Sequence, residues 1–201
     1  MATNPEYFEI DPNKQYIIAV DISGSMRTPD AACAGQERYP YALEKVKLFI
    51  KESESFDPDG PTILLFGESV QVFENTTLAA VDAALSSPSF EGATFTDKAV
   101  QKAYELHKAA NAGDTVLLVI TDGAPTDRKK LEEVIKNISN SVAKDDEFSI
   151  SFLTVGTIDA ALDAFLKGLD DDLKGAKFDI VDVKALESVS LFQAVKGAIS
   201  D

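Results

Sequence analysis

Only one cysteine, Cys33, occurs in the chain, so no internal disulfide can form and nothing in the sequence demands an oxidising compartment. Histidine is nearly as scarce. His107 is the sole example, and it falls mid-helix on an apolar stripe, where a satisfied, partly buried residue is the expected role rather than a general base. No apolar run approaches the ~20 residues needed to cross a bilayer. The first fourteen residues are polar and acidic, without the basic and apolar regions of a secretory leader. Basic residues number 19 against 34 acidic ones, and the net charge of -15 would be repelled by nucleic acid and by anionic membranes. A free-standing cytoplasmic protein is the expectation, with no nucleic-acid partner and no membrane insertion.

What the chain does have is apolar residues in regular blocks. Hydrophobic residues make up 45% of its 201 residues, close to the globular norm, and one domain over 1–201, with a core at about 15–200, is expected. Residues 16–20 read as a strand buried on both faces, 62–66 as a second buried strand, 115–120, the most apolar run, as the central strand, and 148–155 as a further strand. Residues 70–73 alternate like an edge strand, and 178–183 read as a final strand. Between them, stripes at helical spacing mark helices. These stripes are Leu43, Val46, Phe49 and Ile50; residues 78–85; Val100, Ala103, Tyr104 and His107; Leu131, Val134, Ile135, Ile138 and Val142; Leu162, Phe165, Leu166 and Leu169; and Leu186, Val189, Phe192, Val195 and Ile199. Asp127 and Asp159 are placed to cap two of them. Residues 27–40 read as a loop, Asp57-Pro58-Asp59-Gly60-Pro61 as a turn, and Asn111-Ala112-Gly113 as a helix stop. The alternation predicts a doubly wound α/β domain, with a mostly parallel central sheet flanked by helices and one antiparallel edge strand. Ligands of such folds bind beyond the carboxyl ends of the strands, where strand order reverses. The two most apolar strands run into Asp21 and Asp122 there.

Asp21-Ile22-Ser23-Gly24-Ser25-Met26 follows the first strand. It offers a carboxylate and two hydroxyls on one tight turn, all hard oxygen donors, which suit magnesium, manganese or calcium and suit zinc or copper poorly. This hexapeptide resembles the DxSxS motif of the von Willebrand factor A domain. That family builds a metal-ion-dependent adhesion site from DxSxS, a distant Thr and a distant Asp. Gly92-Ala93-Thr94-Phe95-Thr96 is similar to its second motif, whose first Thr falls on Thr94, leaving Thr96 to cap the next helix. Ile120-Thr121-Asp122-Gly123 is similar to the third. The resemblance implies a Rossmann-like fold and a divalent cation, Mg2+ by preference with Mn2+ or Ca2+ possible, on Asp21, Ser23, Ser25, Thr94 and Asp122. It also implies a partner protein that presents an Asp or Glu to the ion, and coupling of binding to displacement of the last helix, residues 185–199. The Asp-Ile-Ser-Gly-Ser-Met form is similar to bacterial, intracellular members of the family.

Two other classes are weighed against that reading. A metal-dependent hydrolase or phosphotransferase would need groups the chain lacks. Ser23 stands where haloacid-dehalogenase-like enzymes place a second Asp, and neither a phosphate-binding P-loop nor a Gly-x-Ser-x-Gly elbow is present. A metal-independent scaffold would have no use for a complete ligand set. Enzymatic activity is therefore not expected. Cys33 follows the metal turn as an incidental loop residue, and Arg38, Tyr39 and Tyr41 either frame a partner's surface or pack beneath the loop.

Overall fold

The central strands form where the sequence is mostly apolar, the edge strands where it alternates, and helices where it is apolar on one stripe. The computed structural model describes residues 11, 13–54, 59–110 and 113–200. Its elements are β1 (Gln15–Asp21), α1 (Arg38–Ser53), β2 (Thr62–Phe66), β3 (Val70–Phe73), α2 (Leu78–Ala84), α3 (Thr96–Ala110), β4 (Thr115–Thr121), α4 (Arg128–Ser141), β5 (Phe148–Thr154), α5 (Ala160–Asp171), β6 (Val181–Ala185) and α6 (Leu191–Ser200). The six strands make one sheet in the order β3-β2-β1-β4-β5-β6. Every neighbouring pair is parallel except β2 and β3, so β3 is the expected antiparallel edge. Strand order steps outward on either side of the β1–β4 pair. That pair is therefore the switch point, and its carboxyl end is where an open α/β sheet offers a crevice.

Alternation along the central strands divides the core in two. Tyr16, Ile18 and Val20 of β1 and Val116, Leu118 and Ile120 of β4 face α1, through Val46, Phe49 and Ile50, and α6, through Leu191, Phe192 and Val195. Ile17 and Ala19 with Leu117 and Val119 face the opposite layer, where α3, α4 and α5 bring Val100, Ile135 and Leu166 among others. Both faces of the sheet are thus sealed by helices, which is why β1, β4 and β5 are buried along almost their whole length.

Four expectations are corrected. The first helix starts at Arg38, inside the stretch 27–40 expected to be loop, with Pro40 tolerated in its first turn. The final strand begins at Val181, because the backbone of Phe178 exchanges 2.8 Å hydrogen bonds with Ser139 Oγ on α4 instead of joining the sheet. The last helix begins at Leu191. Leu186 and Val189 continue its apolar stripe but lie in the preceding turn, where Leu186 N donates to Thr154 O at 2.8 Å. A reciprocal cap between Ser190 and Gln193 sets its start: Gln193 Oε1 accepts from Ser190 N (2.8 Å) and Ser190 Oγ accepts from Gln193 N (3.1 Å). Thr96 caps nothing. It is the first residue of α3, and its buried hydroxyl has no hydrogen-bond partner among the described residues. Asp127 and Asp159 do cap α4 and α5, accepting from Lys130 N and Leu162 N. The 57–61 turn in part, the 111–112 part of the helix stop and the side chain of Ile199 lie outside the described residues.

Candidate functional site

Because Val20 pairs with Ile120, the next residues, Asp21 and Thr121, meet where the β1–β4 ladder ends. Thr121 Oγ1 donates to Asp21 Oδ2 at 2.6 Å, and Asp21 Oδ1 accepts the N–H of Ser23 at 2.7 Å, which folds the loop back as soon as the strand stops. Asp21 is fully buried. Burial pushes its carboxyl up to about 6, against the hydrogen bonds from Thr121 and Ser23, and the nearby charge of Asp122 raises it further. Both oxygens are engaged, so Asp21 is not presented as a free nucleophile.

The chain then makes one 3-10 turn, Gly24–Arg27. Gly24 N donates to Glu91 O at 2.9 Å, and Glu91 N donates to Ile22 O at 2.9 Å, which pins the 90s loop onto the loop after β1. The Glu91 carboxylate in turn accepts from the N–H groups of Glu68 and Ser69, joining the β2–β3 turn to the same rim. Thr94 is held by a backbone exchange with Thr126: Thr94 N donates to Thr126 Oγ1 and Thr126 N to Thr94 O, both at 2.9 Å.

Ser23 Oγ and Ser25 Oγ lie 3.0 Å apart, and Ser25 Oγ donates to Asp122 Oδ1 at 2.8 Å. A methyl group built on Gly123 would lie 3.8 Å from Ser25 Oγ and 3.9 Å from Thr94 Oγ1, so both hydroxyls stand over that glycine. Ser23, Ser25, Thr94 and Asp122 are therefore gathered on one patch, with Asp21 behind them fixing Ser23. Ser25 and Gly24 are exposed, whereas Ser23, Thr94 and Asp122 are buried. Among the described residues no group of three or more His, Cys, Asp or Glu side chains is placed to hold a metal. The donor set here is of another kind, three hydroxyls with two carboxylates. Such hard, mostly neutral oxygens fit a small divalent cation that keeps open positions for water or an added carboxylate.

Sequence reasoning missed what holds Asp122. Arg38, 84 residues away, places Nη1 at 2.5 Å from Asp122 Oδ2. Its Nη2 donates to Asp30 Oδ2 at 2.8 Å and to Thr157 O at 3.2 Å. The N–H of Thr157, the guanidinium and the N–H of Ala32 together hold the Asp30 carboxyl well below the usual carboxylate range. Tyr39 packs beneath the loop, edge-on to Phe90, and its hydroxyl donates to Leu85 O at 2.7 Å. Cys33 is buried, with Sγ donating to Glu187 Oε1 at 3.6 Å. Burial, then the Glu187 charge, push its thiol up to about 11. His107 lies against Tyr104 and Phe148, with Nδ1 at 2.9 Å from Thr115 Oγ1, remote from this rim at the amino end of β4.

A mostly parallel sheet flanked by helices, with a hydroxyl-rich turn at its switch point, defines the class: an open α/β domain of the kind whose ligand crevices lie at strand-end loops. The model of the von Willebrand factor type A domain matches residues 17–191, and the chain belongs to that family. Among solved structures, manganese-loaded TRAP protein from Plasmodium vivax is similar in fold, with 14% identity and a TM-score of 0.64 over 94% of this chain and 75% of that one. The PilB minor pilin of Streptococcus sanguinis gives 12% identity and a TM-score of 0.63 over 96% of this chain and 61% of the pilin. A von Willebrand factor type A protein from Catenulispora acidiphila gives 16% and 0.62 over 93% and 42%. The chain thus spans less than two thirds of the latter two. Comparison with curated proteins finds no significant match. The family generally serves protein–protein interaction rather than catalysis. No helix among the described residues is long and apolar enough to cross a membrane.

Proposed function

We propose that this domain binds a partner protein through a divalent cation, Mg2+ by preference and Mn2+ or Ca2+ in its place, held by Asp21, Ser23, Ser25, Thr94 and Asp122. It would then be a metal-ion-dependent adhesion site of the bacterial, intracellular kind. The observation that carries the reading is the run Ser23 Oγ, Ser25 Oγ, Asp122 Oδ1 at 3.0 and 2.8 Å, lying at the switch point with Thr94 beside it. The manganese in the TRAP relative supports the same chemistry.

A bound cation supplies Lewis acidity toward an Asp or Glu carboxylate of the partner. The protein's own part is to present neutral hydroxyls, which leave that acidity unspent, and to fix them before binding. Asp21 orients Ser23 through its backbone, Ser25 is aligned by Asp122, and Thr126 immobilises the Thr94 backbone. Preordered donors lower the ordering cost of assembling the site.

Calorimetric titration of chelator-stripped protein with MgCl2, MnCl2 and CaCl2, with and without acetate as a stand-in for the partner carboxylate, tests this. Saturable binding that Thr94→Ala weakens at least about tenfold is the expected result, since the substitution removes one direct donor. No binding with acetate present, or equal binding by Thr94→Ala, would overturn the assignment.

A further inference from the structure

The guanidinium of Arg38 is built into this rim rather than resting on it. Arg38 opens α1 and spans two carboxylates, Asp122 at 2.5 Å and Asp30 at 2.8 Å. Asp30 is itself anchored by Ala32 N (2.9 Å), Thr157 N (2.9 Å) and Thr157 Oγ1 (3.1 Å), so the far end of the bridge is rigid. Gly156, at φ 74°, lines the space occupied by the guanidinium. A Cβ there would lie 2.5 Å from Arg38 Nε and 2.8 Å from Asp30 Oδ2, so only glycine leaves room. The guanidinium is thus held between two carboxylates and lies close against Gly156.

This arrangement gives the two oxygens of Asp122 different roles. Oδ1 faces Ser25 and the hydroxyl patch, while Oδ2 is taken by Arg38. Asp122 cannot offer both oxygens to one ion, and part of its charge is already offset by a neighbour that cannot be deprotonated and that it shares with Asp30.

We infer that Arg38 is a positioning residue and fixed counter-cation for Asp122, confining it to one oxygen on the hydroxyl side and lowering the intrinsic affinity of the site for a divalent cation. The inference rests on the proposed metal-binding function. Its rival is that the Asp30–Arg38–Asp122 bridge is structural only, and the sign of the effect separates the two. A structural bridge orders Asp122, so removing Arg38 weakens cation binding. A counter-cation opposes the ion, so removing Arg38 strengthens it. One unit of positive charge within several ångström of a divalent ion amounts to on the order of tenfold in affinity even at a water-like dielectric.

The test is Mn2+ titration by calorimetry on the full chain, using wild type, Arg38→Gln, Arg38→Lys and Asp30→Asn, with thermal melts in chelator to follow the fold. Arg38→Gln is expected to bind Mn2+ on the order of tenfold tighter than wild type. Arg38→Lys keeps the charge and is expected to stay close to wild type. Asp30→Asn throws the whole guanidinium charge onto Asp122 and is expected to bind several-fold more weakly. All three disturb the same bridge, so general damage would move them together, whereas the inference requires opposite signs. If Arg38→Gln does not fold, Arg38→Met, which keeps the length and apolar packing of the side chain without its charge, takes its place: tighter binding supports the inference, and equal or weaker binding overturns it. Weaker or unchanged binding by a folded Arg38→Gln overturns the inference while leaving the metal site standing. Absence of Mn2+ binding by every protein overturns both.

Discussion

Asp21→Asn should make the metal-free protein more stable. Asp21 is fully buried, and its carboxyl is pushed from 3.8 to about 6, chiefly by loss of solvent. A shift of about two pH units at 1.36 kcal/mol each puts the penalty of keeping this group ionised at up to ~3 kcal/mol. Asparagine escapes that penalty and can keep both contacts, its oxygen accepting from Ser23 N and its amide meeting Thr121 Oγ1. Allowing for local relaxation, ~1–3 kcal/mol should remain, which for a domain of this size is roughly 3–10 °C in melting temperature. The pH dependence follows in sign. A carboxyl whose pKa is raised by folding adds stability that is complete below its unfolded value and is lost as pH rises through about 6. The variant's advantage should therefore be full at pH 7.5 and shrink as the pH falls from about 6 toward 4. Thermal melts of both proteins in chelator across this range measure it. A variant less stable at pH 7.5, or an advantage that grows on acidification, would refute the reasoning. Saturating Mn2+ should reverse the order, because only wild type keeps the ligand.

Other consequences are more local. Phe49 packs between Tyr16 and Phe192, with ring centroids 6.2 and 4.8 Å away, so Phe49→Ala should lose ~3–5 kcal/mol in urea unfolding, seen as a lower midpoint at unchanged slope. Gly156→Ala forces a Cβ into the guanidinium at positive φ and should lose about 2 kcal/mol or more, whereas a loss below about 0.5 kcal/mol would show that Arg38 is free to move. Cys33, buried and with its thiol pushed up to about 11, should resist thiol reagents at pH 7.5 until denaturant is added; rapid labelling of the native protein would contradict its placement.

Much of this was legible from pattern alone. The strands β1, β2 and β4 announce themselves because helices cover both faces of the sheet, and their central residues are apolar without a break, while β5 is interrupted only by the small residues Ser149 and Ser151. Asp21, Ser23, Ser25 and Asp122 lie at or just after strand ends and Thr94 just before α3, so short local motifs suffice to find them. Boundaries failed where an apolar pattern outlasts its element. Phe178 alternates like a strand residue yet bonds to Ser139, and Leu186 and Val189 share the stripe and the core of α6 without being helical. The Ser190 and Gln193 cap was the readable signal for the true start. Arg38 carried no such signal. Its role depends on an 84-residue contact made by tertiary packing, and an arginine at the mouth of a loop looks the same whether it faces solvent or a carboxylate.

The most direct test of the metal-site claim is a crystal structure of the protein grown with MnCl2, with anomalous diffraction collected at the manganese edge. One dominant anomalous peak is expected within coordination distance of Ser23 Oγ, Ser25 Oγ and Thr94 Oγ1, with Arg38 still on Asp122. A dominant peak elsewhere on this acidic chain, or none at the ends of β1 and β4 while the hydroxyls keep their mutual contacts, would contradict it.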